Sequence, residues 1–172
     1  GQVLPATYLR WFQEAAIFAS SENGFDDARY RELGSTWFVR EVHVEILAQV
    51  AVGETLHVFT WAAEMRTATA YRQYSARRLS GEVVARGEAE WAYIDRVTGR
   101  LRRIDRDPMK GFPVREEHAF ADRDWGMQSL AAGPSGHPVD RREHTVLWSE
   151  LDSALHVNNA VYAQWATDHI AE

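Results

Sequence analysis

The sequence predicts an α+β fold in which one long apolar-faced helix is wrapped by an antiparallel sheet. Three observations lead there. Ala6–Ser20 repeats its apolar groups at helical spacing. Between Thr36 and Ile104, apolar and polar residues alternate over long segments separated by turn signals. No apolar run approaches the ~20 residues that a membrane-spanning helix requires, so the strands must bury one face against that helix.

In the first helix, Tyr8, Trp11, Phe12, Ala15, Ala16 and Phe18 form the apolar stripe, while Arg10, Gln13 and Glu14 lie mostly off it. Ser21 to Gly24 ends it, with Gly24 as the C-terminal cap. A short helix over Asp26–Leu33 stops at Gly34. Four strands are expected next: Thr36–Leu47, Thr55–Met65, Tyr71–Leu79 and Val83–Ile94. In the first, Phe38, Val42, Val44 and Ile46 share a face opposite Glu41, His43 and Glu45. In the fourth, Val83, Ala85, Gly87, Ala89, Trp91 and Tyr93 share one. A short basic strand is expected at Arg100–Ile104, and another strand at Glu143–Trp148 ahead of a helix that begins near Asn159. Pro108, Pro113, Pro134 and Pro138 make the stretch between an extended connection.

Composition narrows the function classes. At 45% hydrophobic and 26% charged, the chain reads as globular and not disordered. A net charge of −6 argues against a nucleic-acid binder. With no cysteine, there is no disulfide framework, thiolate nucleophile or Cys-based zinc site. The seven His show no metal-ligand spacing, so neither metal nor other cofactor is expected. The chain opens at Gly1 without Met and ends within a helical pattern, so both ends are expected to be truncated.

An internal repeat points to the organisation. Val3, Ala6, Tyr8 and Trp11 coincide with Val157, Ala160, Tyr162 and Trp165 at a constant offset of 154, and Glu14 falls opposite Asp168. Residues 1–106 would then be a nearly complete first unit, 107–140 a linker, and 141–172 the first strand and helix of a second unit. Where the second copy has His156, Asn158 and Asn159, the first has Gln2, Leu4 and Pro5. Titratable chemistry belongs to the second copy alone.

The segment Trp148–Tyr162 puts carboxylates, an imidazole and two amides just ahead of a helix. Thioester hydrolysis needs an activated water or nucleophile, a stabilised oxyanion and a proton for the leaving thiol. A helix N-terminus offers N–H groups to an oxyanion. Asp152 suits a base or nucleophile, His156 a proton carrier or orienter, and Asn158 or Asn159 a positioner of water or substrate. The same residues also fit plainer roles: either Asn as a helix cap, Asp152 as a turn residue, His156 as a structural side chain.

Ser149-Glu150-Leu151-Asp152, then His156-Val157-Asn158-Asn159, then Tyr162 and Trp165, resembles the catalytic motif of acyl-acyl carrier protein thioesterases, roughly W-S-D-L-D-x-N-x-H-V-N-N-x-x-Y-x-x-W. Thr36–Glu41 and Gly53–Trp61 resemble that family's N-terminal sheet, and Gly81-Glu82, Ala85-Arg86 and Trp91 continue in order. The resemblance implies tandem hotdog units, each a long helix wrapped by an antiparallel sheet, that release fatty acid from acyl carrier protein. It implies Asp152, His156 and Asn158 as catalytic residues and Asn159, Tyr162 and Trp165 as substrate-binding ones. The family's Asn two residues after the Asp is Ala154 here, a departure that touches the mechanism. A further Glu of the second sheet would lie beyond Glu172; its counterpart in the first unit, Glu41, reads as an exposed or salt-bridged strand residue. The implied partner is an acyl carrier protein, with no nucleic acid and no membrane span. The implied compartment is the cytoplasm, or the plastid in a plant. Arg77, Arg78, Arg100, Arg102 and Arg103 would meet an acidic carrier or simply form a solvated face. The uncovered stripe Val161, Tyr162, Trp165 is expected to drive self-association, of which a homodimer is one form. Two other readings stand beside this one: hydrolysis of acyl-CoA by a single hotdog unit, and acyl binding without turnover.

Overall fold

The computed structural model describes residues 1–104, 112–122, 143–152 and 155–170. Two helices, α1 (Pro5–Glu22) and α2 (Asp27–Glu32), precede four strands: β1 (Ser35–Ile46), β2 (Leu56–Met65), β3 (Thr69–Arg78) and β4 (Val83–Asp95). A final helix, α3, spans Asn159–Ile170. The strands form one antiparallel sheet in the order β1-β4-β3-β2. β1 and β2 are therefore the edges, although they follow one another in the chain. α1 lies on one face of the sheet and packs along α3, which is the helix-on-sheet arrangement the sequence predicts.

α1 starts with Pro5, whose missing N–H costs nothing in the first turn. It ends as the sequence suggests. Gly24 takes a left-handed φ of 80°, its N–H reaches Ser21 C=O, and the Phe25 N–H reaches Ser20 C=O; this satisfies carbonyls that the helix leaves open. α2 is capped by Asp26, whose carboxylate accepts the Arg29 N–H at 2.8 Å.

The row of α1 facing the sheet runs Tyr8, Phe12, Ala16, Ser20, one residue per i+4 step. Tyr8 and Phe12 are buried and large, and Phe12 stacks on Tyr74 of β3 with centroids 4.9 Å apart. Ala16 and Ser20 are small. The helix is therefore anchored at its N-terminal half and leaves space under its C-terminal half. Gly87 of β4 sets the close approach: a Cβ there would lie 2.8 Å from Phe12 Cε2 and 3.1 Å from the His43 carbonyl. Val50, Ala76, Val84, Ala85 and Ala89 complete this core. A second cluster, Phe25, Tyr93 and Ile104, gathers Tyr30, Leu33, Trp37, Met65 and Phe112 beside α2.

Several expectations are corrected. Phe18 is 67% exposed and does not belong to the buried stripe, because it falls on the far side of α1. β1 carries a bulge between Val39 and Glu41. The extra residue reverses the parity of the strand. Before it, Trp37 and Val39 pair with Tyr93 and Trp91; after it, Val42 and Val44 pair with Ala89 and Gly87. Phe38 pairs with Ala92 and thus leaves the row of Val42, Val44 and Ile46. Arg100–Ile104 is not a strand beyond a single bridge, Ile94 to Leu101. Glu143–Trp148 is no strand either: residues 143–147 have no ladder partner among the described residues, and Trp148–Glu150 forms one 3-10 turn.

The connection expected over 107–140 is described only at 112–122. There it lies along the sheet: Val114 bridges to Ala62, Trp61 Nε1 donates to Glu117 C=O, and the Ala119 N–H donates to the buried Gln73 carboxamide. Gln73 in turn donates to Glu88, which is 3% exposed. α1 and α3 begin at Pro5 and Asn159, the positions that the 154-residue offset superposes.

Gly87→Ala tests the close approach. The added methyl must push Phe12 off the sheet, so urea unfolding should show a loss of about 1–3 kcal/mol, with the α1 amides exchanging faster than those of β3.

Candidate active site

Under the C-terminal half of α1 the sheet and helix enclose a cavity of about 290 Å³. Its apolar wall includes Ala16, Phe25, Trp37, Met65, Trp91 and Phe112, drawn from both core clusters. Polar side chains also lie in the wall, Tyr30 and Arg72 among them. Tyr30 hydroxyl pairs with Ser20 Oγ at 3.1 Å and accepts from Trp37 Nε1 at 3.0 Å; burial pushes its pKa up. Arg72 donates to Thr60 Oγ1 at 3.2 Å and stands 5.7 Å from the Phe112 ring; burial lowers its pKa. At one end the cavity meets Asp152 and Asn159.

Asp152 arrives there by a tight loop. Leu151 and Val157 form a bridge, the Asp152 N–H donates to His156 C=O at 2.8 Å, and the Leu155 N–H donates to Asp152 C=O at 3.0 Å. Asp152 Oδ1 accepts the His156 N–H at 3.1 Å. Leu155 adopts a left-handed φ of 62°, an uncommon conformation for a residue with a γ-branched side chain. Asp152 is therefore both a turn residue and a cavity residue. Its Asn-replacing neighbour, Ala154, lies outside the described residues.

The His156 imidazole is exposed and meets Phe38 edge-on, with centroids 4.7 Å apart. Asn158 caps α3: its Oδ1 accepts the Ala160 N–H at 2.9 Å, and its C=O accepts the Val161 N–H. Asn159 opens the helix and faces the cavity. Tyr162 is 56% exposed and stands edge-on to Trp165. Trp165 lies tilted against His144, with ring centroids 4.4 Å apart, and donates Nε1 to Glu150 at 3.0 Å. Of the six residues that the sequence singles out, Asp152 and Asn159 line the cavity and His156 touches one of its walls. Asn158, Tyr162 and Trp165 hold the surrounding segment together.

Glu150 is the residue that sequence reasoning passes over. Its carboxylate accepts the Leu147 N–H at 2.7 Å, His144 Nε2 at 3.0 Å and Trp165 Nε1 at 3.0 Å. The Leu147 bond first, then His144 and Trp165, holds its pKa well below the ordinary 4.5, at about 2. The signal lay in the motif itself, where an acid precedes Asp152 by two residues. In the first unit, Glu41 bonds His43 at 2.8 Å, as a salt-bridged strand residue would. Arg78 is spent on Glu54 and Glu82, and Arg102 on the Leu33 carbonyl. No group of three His, Cys, Asp or Glu among the described residues is arranged to hold a metal.

Solved structures place the architecture in the hotdog class. A 12:0-ACP thioesterase from Umbellularia californica superposes with a TM-score of 0.78 at 22% identity, covering 98% of this chain and 68% of that one. An acyl-ACP thioesterase from Bacteroides thetaiotaomicron gives 0.77 at 19% identity, covering 98% and 66%. The chain belongs to the acyl-ACP thioesterase family, whose N-terminal domain matches residues 4–112. Among curated relatives, oleoyl-acyl carrier protein thioesterase 1, chloroplastic, of Arabidopsis thaliana is 25% identical over 150 residues, 83% of this chain and 41% of that protein. The chain thus spans about two fifths of that relative's length.

The depressed Glu150 pKa fixes a pH dependence. Because the folded value lies below the unfolded one, its stabilisation is complete above pH 4.5 and is lost as pH falls through about 2. Trp165 emission should shift to that of a solvated indole across this window, and Glu150→Gln should remove the transition.

Proposed function

We propose that this chain belongs to an enzyme that hydrolyses fatty acyl-acyl carrier protein thioesters to free fatty acid. The observation that carries the reading is that Asp152 and the first residue of α3 stand at the end of an apolar cavity between α1 and the sheet. The cavity takes the acyl chain. The thioester carbonyl sits at the N-terminus of α3, where the Asn159 N–H and the helix dipole stabilise the oxyanion. Asp152 takes a proton from the attacking water as its oxygen bonds to the carbonyl carbon. The C–S bond then breaks, and the leaving thiolate receives a proton from His156, which turns its ring from Phe38 toward the site. No cofactor enters.

Residues 1–106 supply the acyl-holding unit, 107–140 join it to a second unit, and 141–172 begin that unit with the reactive loop. The family membership and the names of the relatives support acyl carrier protein as the carrier, and the chloroplastic relatives fit a plastid; fatty acid biosynthesis as the setting and the bacterial cytoplasm as the other compartment belong to the same proposal. The stripe Val161, Tyr162, Trp165 is not uncovered as the sequence suggests: Val161 is buried where α3 packs along α1, Trp165 is half-buried, and Tyr162 alone is exposed. A second reading, acyl binding without turnover, is favoured by one observation: the exposed His156 ring packs edge-on against Phe38.

Acyl-ACP hydrolysis by the native chain, by Asp152→Asn and by His156→Ala separates the two. General acid–base roles predict a fall in kcat of about a hundredfold or more for each variant. Equal fatty-acid binding by all three with no hydrolysis by any would favour the non-catalytic reading. Acyl-CoA run alongside tests the carrier.

A further inference from the structure

We propose that Glu150 is the positioning residue of this site, setting where Asp152 and the N-terminus of α3 stand relative to the cavity. The hydrogen bonds from Asp152 to His156 and from Leu155 to Asp152 are internal to the loop. They give it shape. Orientation comes from Glu150, which reaches both of its flanks. On the incoming side its carboxylate takes the Leu147 N–H and the His144 imidazole. On the outgoing side it takes the Trp165 indole N–H, two turns along α3, while its backbone C=O takes the Asn158 N–H. Asn158 is the cap of that helix. One residue thus ties the segment before the loop, the cap after it and the body of α3 into one unit, with Asp152 two positions away.

The side chain is only 16% exposed. Three donors converge on one carboxylate, an arrangement only an ionised acceptor satisfies fully. A glutamine there would turn an N–H₂ toward groups that are themselves donors. The proposal rests on the hydrolytic reading for its kinetic consequence only; the geometric one stands separately.

The test uses Glu150→Gln and Glu150→Asp in the intact chain, with two readouts. By NMR, Glu150→Gln should move the Trp165 indole N–H to a solvent-like position, speed exchange of the Asn158 amide, and abolish the Phe38 ring-current shift on His156. Glu150→Asp, which keeps the charge, should recover most of the His156 shift. In acyl-ACP hydrolysis, Glu150→Gln should lower kcat about tenfold or more, the scale of a lost charge-assisted bond, with KM within about twofold. Unchanged His156 and Asn158 signals in Glu150→Gln would overturn the proposal, as would a loss confined to KM. Should Glu150→Gln unfold outright, seen as loss of β1–β4 amide signals, the decision falls to Glu150→Asp, where a native His156 shift supports the proposal and a collapsed one contradicts it. Absence of hydrolysis by the native chain would count against the proposed function, and the NMR arm would still decide the role of Glu150.

Discussion

The structure depends on how closely α1 can approach the sheet, and that distance is set where Phe12 meets Gly87. Any side chain at 87 would hold the helix away, and a smaller one at 12 would let it collapse. With the N-terminal half of α1 fixed by Tyr8 and Phe12, the small Ala16 and Ser20 further along the same face cannot reach the sheet. The cavity is the geometric result. Three of its large rings are held by hydrogen bonds: Trp37 by Tyr30, Tyr30 by Ser20, and Trp91 by Tyr74. A preformed apolar slot of this kind spares a flexible chain part of the ordering cost of binding.

The proposed reactive end is attached to that slot through α3, with the His156–Phe38 contact as a further link to β1. α3 packs along α1, with Ala160 and Val161 buried. Asp152 and Asn159 are carried to the cavity on this helix and on the loop before it. Three supports are thus in series: the core places α1, α1 places α3, and in the proposed role Glu150 places the loop on α3. A change deep in the first unit, far from any titratable group, is transmitted to the reactive end by packing alone.

Much of the fold was legible because period-2 and period-3.6 patterns survive wherever one face is buried. The face of β4 from Ala85 to Tyr93 and the stop at Gly24 follow from such signals, whereas a register shift between Ala76 and Arg77 puts Val84, and not the expected Val83, in the core. The bulge in β1 was not legible: one extra residue reverses parity with no marker at Val39, Arg40 or Glu41, so Phe38 was assigned to the wrong row. Glu143–Trp148 alternates like a strand, but a strand exists only through its partner, and among the described residues none is present. Phe18 satisfied a wide apolar stripe that the real contact face, one residue per i+4 step, does not include. In the site, the motif located Asp152 and Asn159 at the cavity, but it could not separate the residue that faces the slot from one that merely caps the helix. Asn158 and Asn159 are adjacent and chemically identical, and only the helix start distinguishes them. Glu150 escaped notice because its donors, a backbone N–H, His144 and Trp165, converge only in three dimensions.

The central claim is that an acyl chain lies between α1 and the sheet with its carbonyl at the start of α3. A crystal structure with a hydrolysis-inert acyl thioether analogue tests this most directly. The account predicts continuous density for the chain beneath Ala16, against Trp91 and Phe112, and the carbonyl oxygen within hydrogen-bond reach of the Asn159 N–H. An acyl chain bound elsewhere, with the cavity filled by ordered water, would contradict it.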